Sequence, residues 1–291
     1  MDLLSVATGI IATGTAYAMV LYIAAVGLSV TMGLLGIANL AHGAFAMAGG
    51  YAMVWGLDRL GLSFGVAVLL ACVLVGVASV VMERVLYRRF YARSELDQVV
   101  MSVGLLFMSV AVAQFLFGPS PLSVRLPGLL TGAVPLVGDA SLPVYRGFLI
   151  LFGFAIFLLL WAGIERTMLG ARIRAAVDNR FMAQAVGVNT DLLFVTVFAL
   201  GSMLAALGGA LGADMMALTP DYALAHLVYF MIVVAVGGLG SVRGPFVAAL
   251  LLGIGDTACK ILAPQAGAFF VYVALFVLLL ARPRGLFGRT A

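Results

Sequence analysis

Two side chains near the head of an apolar run are candidates for chemistry: Asn39 and His42, in the stretch Gly33-Leu-Leu-Gly-Ile-Ala-Asn-Leu-Ala-His-Gly-Ala-Phe-Ala-Met-Ala-Gly-Gly-Tyr51. On a helix, positions i and i+3 share a face. Ala46, Gly49 and Gly50 continue that face, so it is polar at one end and small throughout. Such a face suits either of two roles: close helix packing, with Asn and His bonding across to a neighbour, or the wall of a passage for a small polar solute. Enzyme chemistry finds less support. His226, Ser241 and Asp256 fall in separate segments and no motif joins them to His42. There is no His-Glu-x-x-His zinc site and no Gly-x-Ser-x-Gly elbow. Cys72 and Cys259 lie in or at the end of apolar runs, where a thiol packs as a small hydrophobe, and they form no metal-ligand cluster. The phosphate-cradling Gly-x-x-x-x-Gly-Lys-Ser/Thr loop is missing too, and the one lysine, Lys260, has no such context. The chain therefore reads as neither an enzyme nor an ATPase, with no cofactor or metal of its own.

The elements that would position Asn39 and His42 are membrane helices. Hydrophobic residues make up 64% of the 291 positions and charged residues 10%, against roughly 25% charged in a soluble domain. That balance excludes a soluble fold. Apolar runs at 9–31, 37–57, 62–82, 98–117, 147–164, 191–213, 224–239, 242–258 and 267–281 compare with the roughly 20 residues a helix needs to cross a bilayer. The runs are continuous and do not alternate, so helices are expected and not a barrel. The fold class is all-α: a polytopic transmembrane helical bundle of about eight to ten spans, one membrane domain over residues 1–291. Asp2, with no basic residue in Met1–Val6, favours a retained first span over a cleaved signal. The Pro- and Gly-rich segment 118–146 is expected to be an irregular loop, with room for a short interfacial helix but without a fold of its own.

Charge orients the bundle. Arg84, Arg88, Arg89 and Arg93 share one loop, Arg166, Arg172, Arg174 and Arg180 a second, and Arg282, Arg284 and Arg289 the tail. With Arg243 these are twelve of the sixteen basic residues, and the positive-inside rule places them in the cytoplasm. Nine crossings then leave the N-terminus outside and the C-terminus cytoplasmic. The basic residues follow this membrane pattern and form no nucleic-acid patch. Asp214, Asp221 and His226 fall in an external turn, and Asp256 is expected near an external, solvated end.

Two further segments interrupt the apolar pattern. Gly237-Gly-Leu-Gly-Ser-Val-Arg-Gly-Pro245 reads first as a tight cytoplasmic turn between spans, with Gly240 and Arg243 in it, and second as the break of a discontinuous helix on a substrate route. The internal loop Glu165–Thr190 is too long for a turn; Ala171 to Val186 has good helix formers and a loose apolar stripe beside its arginines. A short helix of that kind can dock on headgroups or on a protein partner.

Four segments, "GLLGIANLAHGAFAMAGGY", "ERTMLGARIRAAVDNRFMAQAVGVN", "VVAVGGLGSVRGPFVAALLLG" and "RPRGLFGR", in this order and spacing, resemble the permease family of branched-chain amino-acid ABC importers, in particular the LivH-like subunit. The resemblance runs from roughly residue 9 to 289. It implies a half-transporter of the bacterial inner membrane. A LivM-like second permease, two cytoplasmic ATP-binding subunits and a periplasmic solute-binding protein would be its partners, and ATP would be used only by those ATPases. It also implies that the loop at about 165–190 holds the ATPase-coupling helix, a role it carries to Arg174, Ala176, Asp178, Arg180, Ala183, Gln184 and Gly187. The loop departs from the Glu-Ala-Ala plus distant Gly consensus of other ABC permeases, keeping Ala183-Gln184-Ala185 before Gly187. Asn39, His42, Ala46, Gly49 and Gly50 are the expected substrate-pathway residues. Branched-chain amino acids, other amino acids, amides such as urea and small organic acids all remain open as the solute. A secondary transporter or channel, which would need ionisable groups buried in mid-span, is the alternative.

Overall fold

The computed structural model describes residues 3–36, 39–91, 93–135, 141–282 and 285–287. Arg284 and Arg289, part of the basic tail, lie outside them. The chain runs through α1 (Leu3–Leu35), α2 (His42–Leu60), α3 (Phe64–Met82), a π-helical turn (Glu83–Tyr87), the short continuation α4 (Arg88–Phe90) and α5 (Glu95–Phe117). After a hairpin of β1 (Ala133–Pro135) and β2 (Ser141–Pro143) come α6 (Val144–Glu165), α7 (Met168–Asp178), α8 (Arg180–Ala185), α9 (Thr190–Gly212), α10 (Tyr222–Gly237), α11 (Arg243–Leu262) and α12 (Pro264–Ala281).

Each of the nine apolar runs falls on a helix, but not every helix is a spanning one. Among the described residues six are long and apolar enough to cross a membrane, and two apolar helices are shorter, Tyr222–Gly237 and Phe269–Ala281. Six to eight apolar membrane-spanning helices are thus shown among the described residues, meeting the expected eight to ten at eight. The run that drops out is α2. It starts at His42, five residues into the predicted run, and carries Asp58 and Arg59 in its last turn before Leu60. On the side of His42, Ala46, Gly49 and Gly50 it is enclosed by protein and made of small residues, which holds its hydropathy below that of its neighbours, while Ala48 and Trp55 on another side are exposed.

Inside a bilayer, apolar burial gives helices little reason to associate, so packing depends on close backbone approach. The centre of α1 is enclosed from Val20 to Val26 and packs on α9, α10 and α11. The seams are made of small residues. Gly208 of α9 lies against Ala24, Gly253 of α11 against Ala18, and Gly209 of α9 against Ala46 of α2. The outer helices α5, α6 and α12 instead display Phe115, Leu151 and Leu280, as lipid contact requires.

Two expectations about loops change. Segment 118–146 contains regular structure: β1 and β2 pair antiparallel with Ala133 opposite Pro143, and Leu122 bridges to Leu218 at the end of the loop that follows α9. The expected single helix over Ala171–Val186 is broken at Asn179. Its backbone is extended there (φ −156°, ψ 102°), and its side chain accepts from the Met182 amide, so it caps α8 and ends α7.

A Cβ on Gly209 would stand 1.9 Å from the Ala46 carbonyl oxygen, whereas one on Gly104 of α5 meets nothing within 4 Å. Gly209→Val should therefore cost at least about 1–3 kcal/mol of stability, while Gly104→Ala should leave it unchanged or slightly raised. Thermal unfolding of the detergent-solubilised protein checks this; equal melting temperatures for Gly209→Val and the parent would mean that α2 and α9 do not pack through this seam.

Candidate functional sites: the head of α2 and the α7–α8 end of the bundle

Asn39 is 5% exposed and acts as a hinge pin for α2. Its Oδ1 accepts from the Tyr87 hydroxyl at 2.8 Å and from the Ala41 amide at 3.1 Å, and its carbonyl accepts from the His42 amide. His42, 1% exposed, donates from Nε2 to the Ala24 carbonyl of α1 at 2.7 Å and sets its ring edge-on to Phe230. Ala46 and Gly49 meet Gly209 and Ala206 of α9, and Gly50 meets Leu218. Of the five expected pathway residues, His42, Ala46, Gly49 and Gly50 share α2, whereas Asn39 lies three residues ahead of the helix and not on its face; protein from α1, α9 and the loop before α10 fills the space around them.

A different side of α2 is open. Met47, Tyr51 and Trp55 recur every four residues and, with Ser109, Val112 and Phe117 of α5, line a cavity of about 430 Å³. The Tyr51 ring stacks on Phe117 at 4.4 Å, and its buried hydroxyl has no hydrogen-bond partner among the described residues. This set was missed by reasoning that followed polar residues; the signal was the i, i+4 aromatic and Met spacing.

At the other candidate site, α7 and α8 pack against the start of α9. Ala176 and Ala183 are buried in a small apolar cluster with Ile173, Leu193 and Phe194. Arg174 donates to the Ile164 carbonyl at 2.6 Å, and Gln184 to Thr190 Oγ1 at 2.6 Å. Arg180 pairs with Asp191 at 3.2 Å and lies 4.6 Å over the Phe194 ring. Most of the expected coupling residues therefore hold the helix pair in place. Asp178 and Gly187 are exposed, and Gly187 supplies the positive φ of 88° that turns the chain toward α9. Large apolar side chains facing outward include Met168 on α7 and Phe181, Met182 and Val186 at α8; of these, sequence reasoning counted only Val186 in its apolar stripe.

The turn between α10 and α11 is as tight as its sequence suggests. Gly240, at φ 73°, donates its amide to the Ser29 carbonyl at 3.0 Å, and Ser29 Oγ donates to the Ser241 carbonyl. Arg243 is paired with Glu165 and lies 5.5 Å over the Trp161 ring, which also carries Arg166. Asp256 overturns an expectation. It is 2% exposed, because α11 runs past the predicted end at 258 to Leu262 and carries it inside. Its Oδ2 pairs with Lys260 at 2.6 Å and its enclosed Oδ1 has no partner among the described residues. His226 lies within α10, half-buried, bonded to the Tyr222 carbonyl. Among the described residues no group of three His, Cys, Asp or Glu could hold a metal.

Residues 10–281 match the family described as branched-chain amino acid transport system, permease component. Among curated relatives, the high-affinity branched-chain amino acid transport system permease protein BraD of Pseudomonas aeruginosa is 26% identical over 95% of this chain and 92% of its own length. LivH of Escherichia coli K12, under the same description, is 27% identical with the same coverage. The probable branched-chain amino acid transport permease LivH of Methanocaldococcus jannaschii is 25% identical over 94% and 90%. A solved structure, PsaBC from Streptococcus pneumoniae in complex with Fab, superposes with a TM-score of 0.51 at 14% identity, covering 94% of this chain and 92% of that one, a likeness of fold. A match over nearly the whole chain, carried by helices that fit a bilayer, places this protein in the permease family of branched-chain amino acid transport systems: it is a multi-pass inner-membrane ABC permease subunit and not an enzyme.

Proposed function

We propose that this chain is one permease half of an ABC importer that carries branched-chain amino acids or a related small polar solute. A LivM-like second permease, two cytoplasmic ATP-binding subunits and a periplasmic solute-binding protein complete it. The family match over residues 10–281 carries this reading. With α2 counted as a crossing, nine spans put the N-terminus outside and the arginine-rich α7–α8 end and C-terminus in the cytoplasm. The whole chain serves as one permease domain, with the loop at about 165–190 as its coupling element.

ATP binding and hydrolysis on the partners would move α7 and α8, which rest on α9, and α9 in turn is seated against α1 and α2. Phe181, Met182 and Val186 would enter a cleft on one ATPase, while Arg174, Ala176, Arg180, Ala183 and Gln184 keep the helix pair rigid and Asp178 and Gly187 flank the contact. Gly240 and Arg243 hold the neighbouring turn. The solute route would follow α2. Its Asn39–Gly50 face is closed in the state described, so passage there requires α2 and α9 to part; the Met47–Tyr51–Trp55 face is already open.

The buried Asp256 favours a second reading, an ion-coupled carrier, since such carriers keep ionisable groups in mid-span. Pairing with Lys260 gives it an equally good structural role.

Purifying the tagged chain from gently solubilised membranes should recover a second permease and ATPases. A chain that comes out alone and moves solute in liposomes without ATP would establish the carrier instead. Within the importer, Phe181→Asp or Val186→Asp should lower the recovered ATPase at least about tenfold, with membrane insertion intact; undiminished recovery would move the contact elsewhere. In a background with Cys72 and Cys259 replaced by alanine, Ala48→Cys on the open side should react with a membrane-impermeant thiol reagent and be protected by solute. Reaction and protection at Ala46→Cys instead would place the route on the small-residue face.

A further inference from the structure

A cavity of about 590 Å³, apart from both α2 faces, is bounded by Glu83, Arg84, Arg88, Arg180, Asp191 and Leu192. The apolar segment Phe64–Phe90 ends beside it and the segment Thr190–Gly212 begins beside it. Two spans terminating at one opening put it where hydrocarbon gives way to headgroups.

The charges there are unevenly committed. Asp191 is shared by two guanidiniums, Arg88 at 2.6 Å and Arg180 at 3.2 Å. Glu83 is turned inward, 2% exposed, with Oε1 accepting from the Tyr91 hydroxyl at 2.8 Å and Oε2 enclosed. Arg84 is exposed and has no acceptor among the described residues. Three guanidiniums therefore line an opening whose one surface carboxylate is already paired. Apolar side chains adjoin it on the membrane side: Val81 and Val85 are each more than half exposed, and so is Leu192 of its own wall.

We infer that this opening seats the phosphate of an anionic phospholipid, with the guanidinium of Arg84 as the free donor, Arg88 and Arg180 beside it, and the acyl chains along Val81, Val85 and Leu192. Guanidinium forks match phosphate oxygens in a bidentate way that an ammonium does not. A choline or ethanolamine headgroup would bring a cation that finds no free carboxylate, because Asp191 is paired and Glu83 enclosed. A soluble phosphate would satisfy the arginines and leave the apolar flank unused. The site is independent of which solute is carried and of which way the bundle faces, since headgroups border both sides of a bilayer.

Native mass spectrometry on the tagged chain, with the subunits that co-purify in mild detergent, tests this with phosphatidylglycerol and phosphatidylcholine of identical acyl chains. Phosphatidylglycerol should be retained in preference. Arg84→Ala should lower that retention about fivefold, and the additional Arg88→Ala further. Arg89→Ala, exposed but not lining the cavity, should leave it unchanged. Arg84→Gln gives the same reading should Arg84→Ala not elute as the parent does on size exclusion. Equal retention of the two lipids, or an equal loss from Arg89→Ala, would overturn the site in favour of diffuse surface charge. Displacement of phosphatidylglycerol by inorganic phosphate at concentrations matching the lipid's own would overturn it in favour of a soluble phosphate.

Discussion

Everything in this molecule depends on how closely three backbones approach. In hydrocarbon a helix gains nothing by hiding leucines from lipid, so association rests on van der Waals contact and on the few polar groups that bond across. α1, α2 and α9 solve this with small residues in register. Gly27 lies against Gly201, Gly208 against Ala24, and Gly209 and Gly49 against Ala46 and Ala206. A Cβ at any of these glycines would meet backbone or Cβ atoms of the partner helix at under 3 Å. Because the contacts are backbone to backbone, no side chain can swing away to relieve a shift, and parting any two of these helices means opening the whole seam at once.

Polar residues in this framework serve first as pins. His42 ties α2 to α1 through the Ala24 carbonyl, Ser29 ties α1 to the α10–α11 turn, and Tyr145 ties α6 to α9 through the Leu211 carbonyl at 2.7 Å. Each is a side-chain donor meeting a carbonyl, the arrangement that leaves no orphaned donor in a medium without water. The two readings open for the Asn39–His42 face, packing or passage, are therefore not exclusive: a face can be sealed in one state and part in another, provided that its pins and its glycine seam open together.

Helix existence was legible in the sequence because apolar length is a strong, local signal, and every run from 9–31 to 267–281 lies on a helix. The membrane role of each was less so: α2 is apolar enough to be noticed but is covered by protein along its small-residue side, and only tertiary structure shows what covers it. Asn179 breaks a run of good helix formers because one capping bond outweighs a few tenths of a kcal/mol of propensity. Asp256 looked solvated because a helix end was set one turn early, and an i, i+4 lysine then shields it. Which residues of the 165–190 segment are exposed and which are buried was not legible, since alternating positions on two short helices depend on where the break falls. The π-turn at Glu83–Tyr87 carries no sequence signal of its own.

That π-turn nonetheless sits at a junction. Arg180 of α8 meets Asp191 of α9, Asp191 meets Arg88, and the residue before Arg88 is Tyr87, whose hydroxyl bonds Asn39 at the head of α2. The series runs from the α7–α8 end of the bundle to the start of α2 without leaving hydrogen-bonding contact except across one peptide. A π-turn has one residue more than its hydrogen-bond ring can hold in α geometry, so it is the part of α3 with a nearby alternative register. The ends of the series are rigid for different reasons, α2 through its glycine seam and α8 through Ala183 and its cap. Glu83–Tyr87, the stretch of this series in π geometry, therefore stands between two rigid ends, beside the opening that Arg84, Arg88 and Arg180 line.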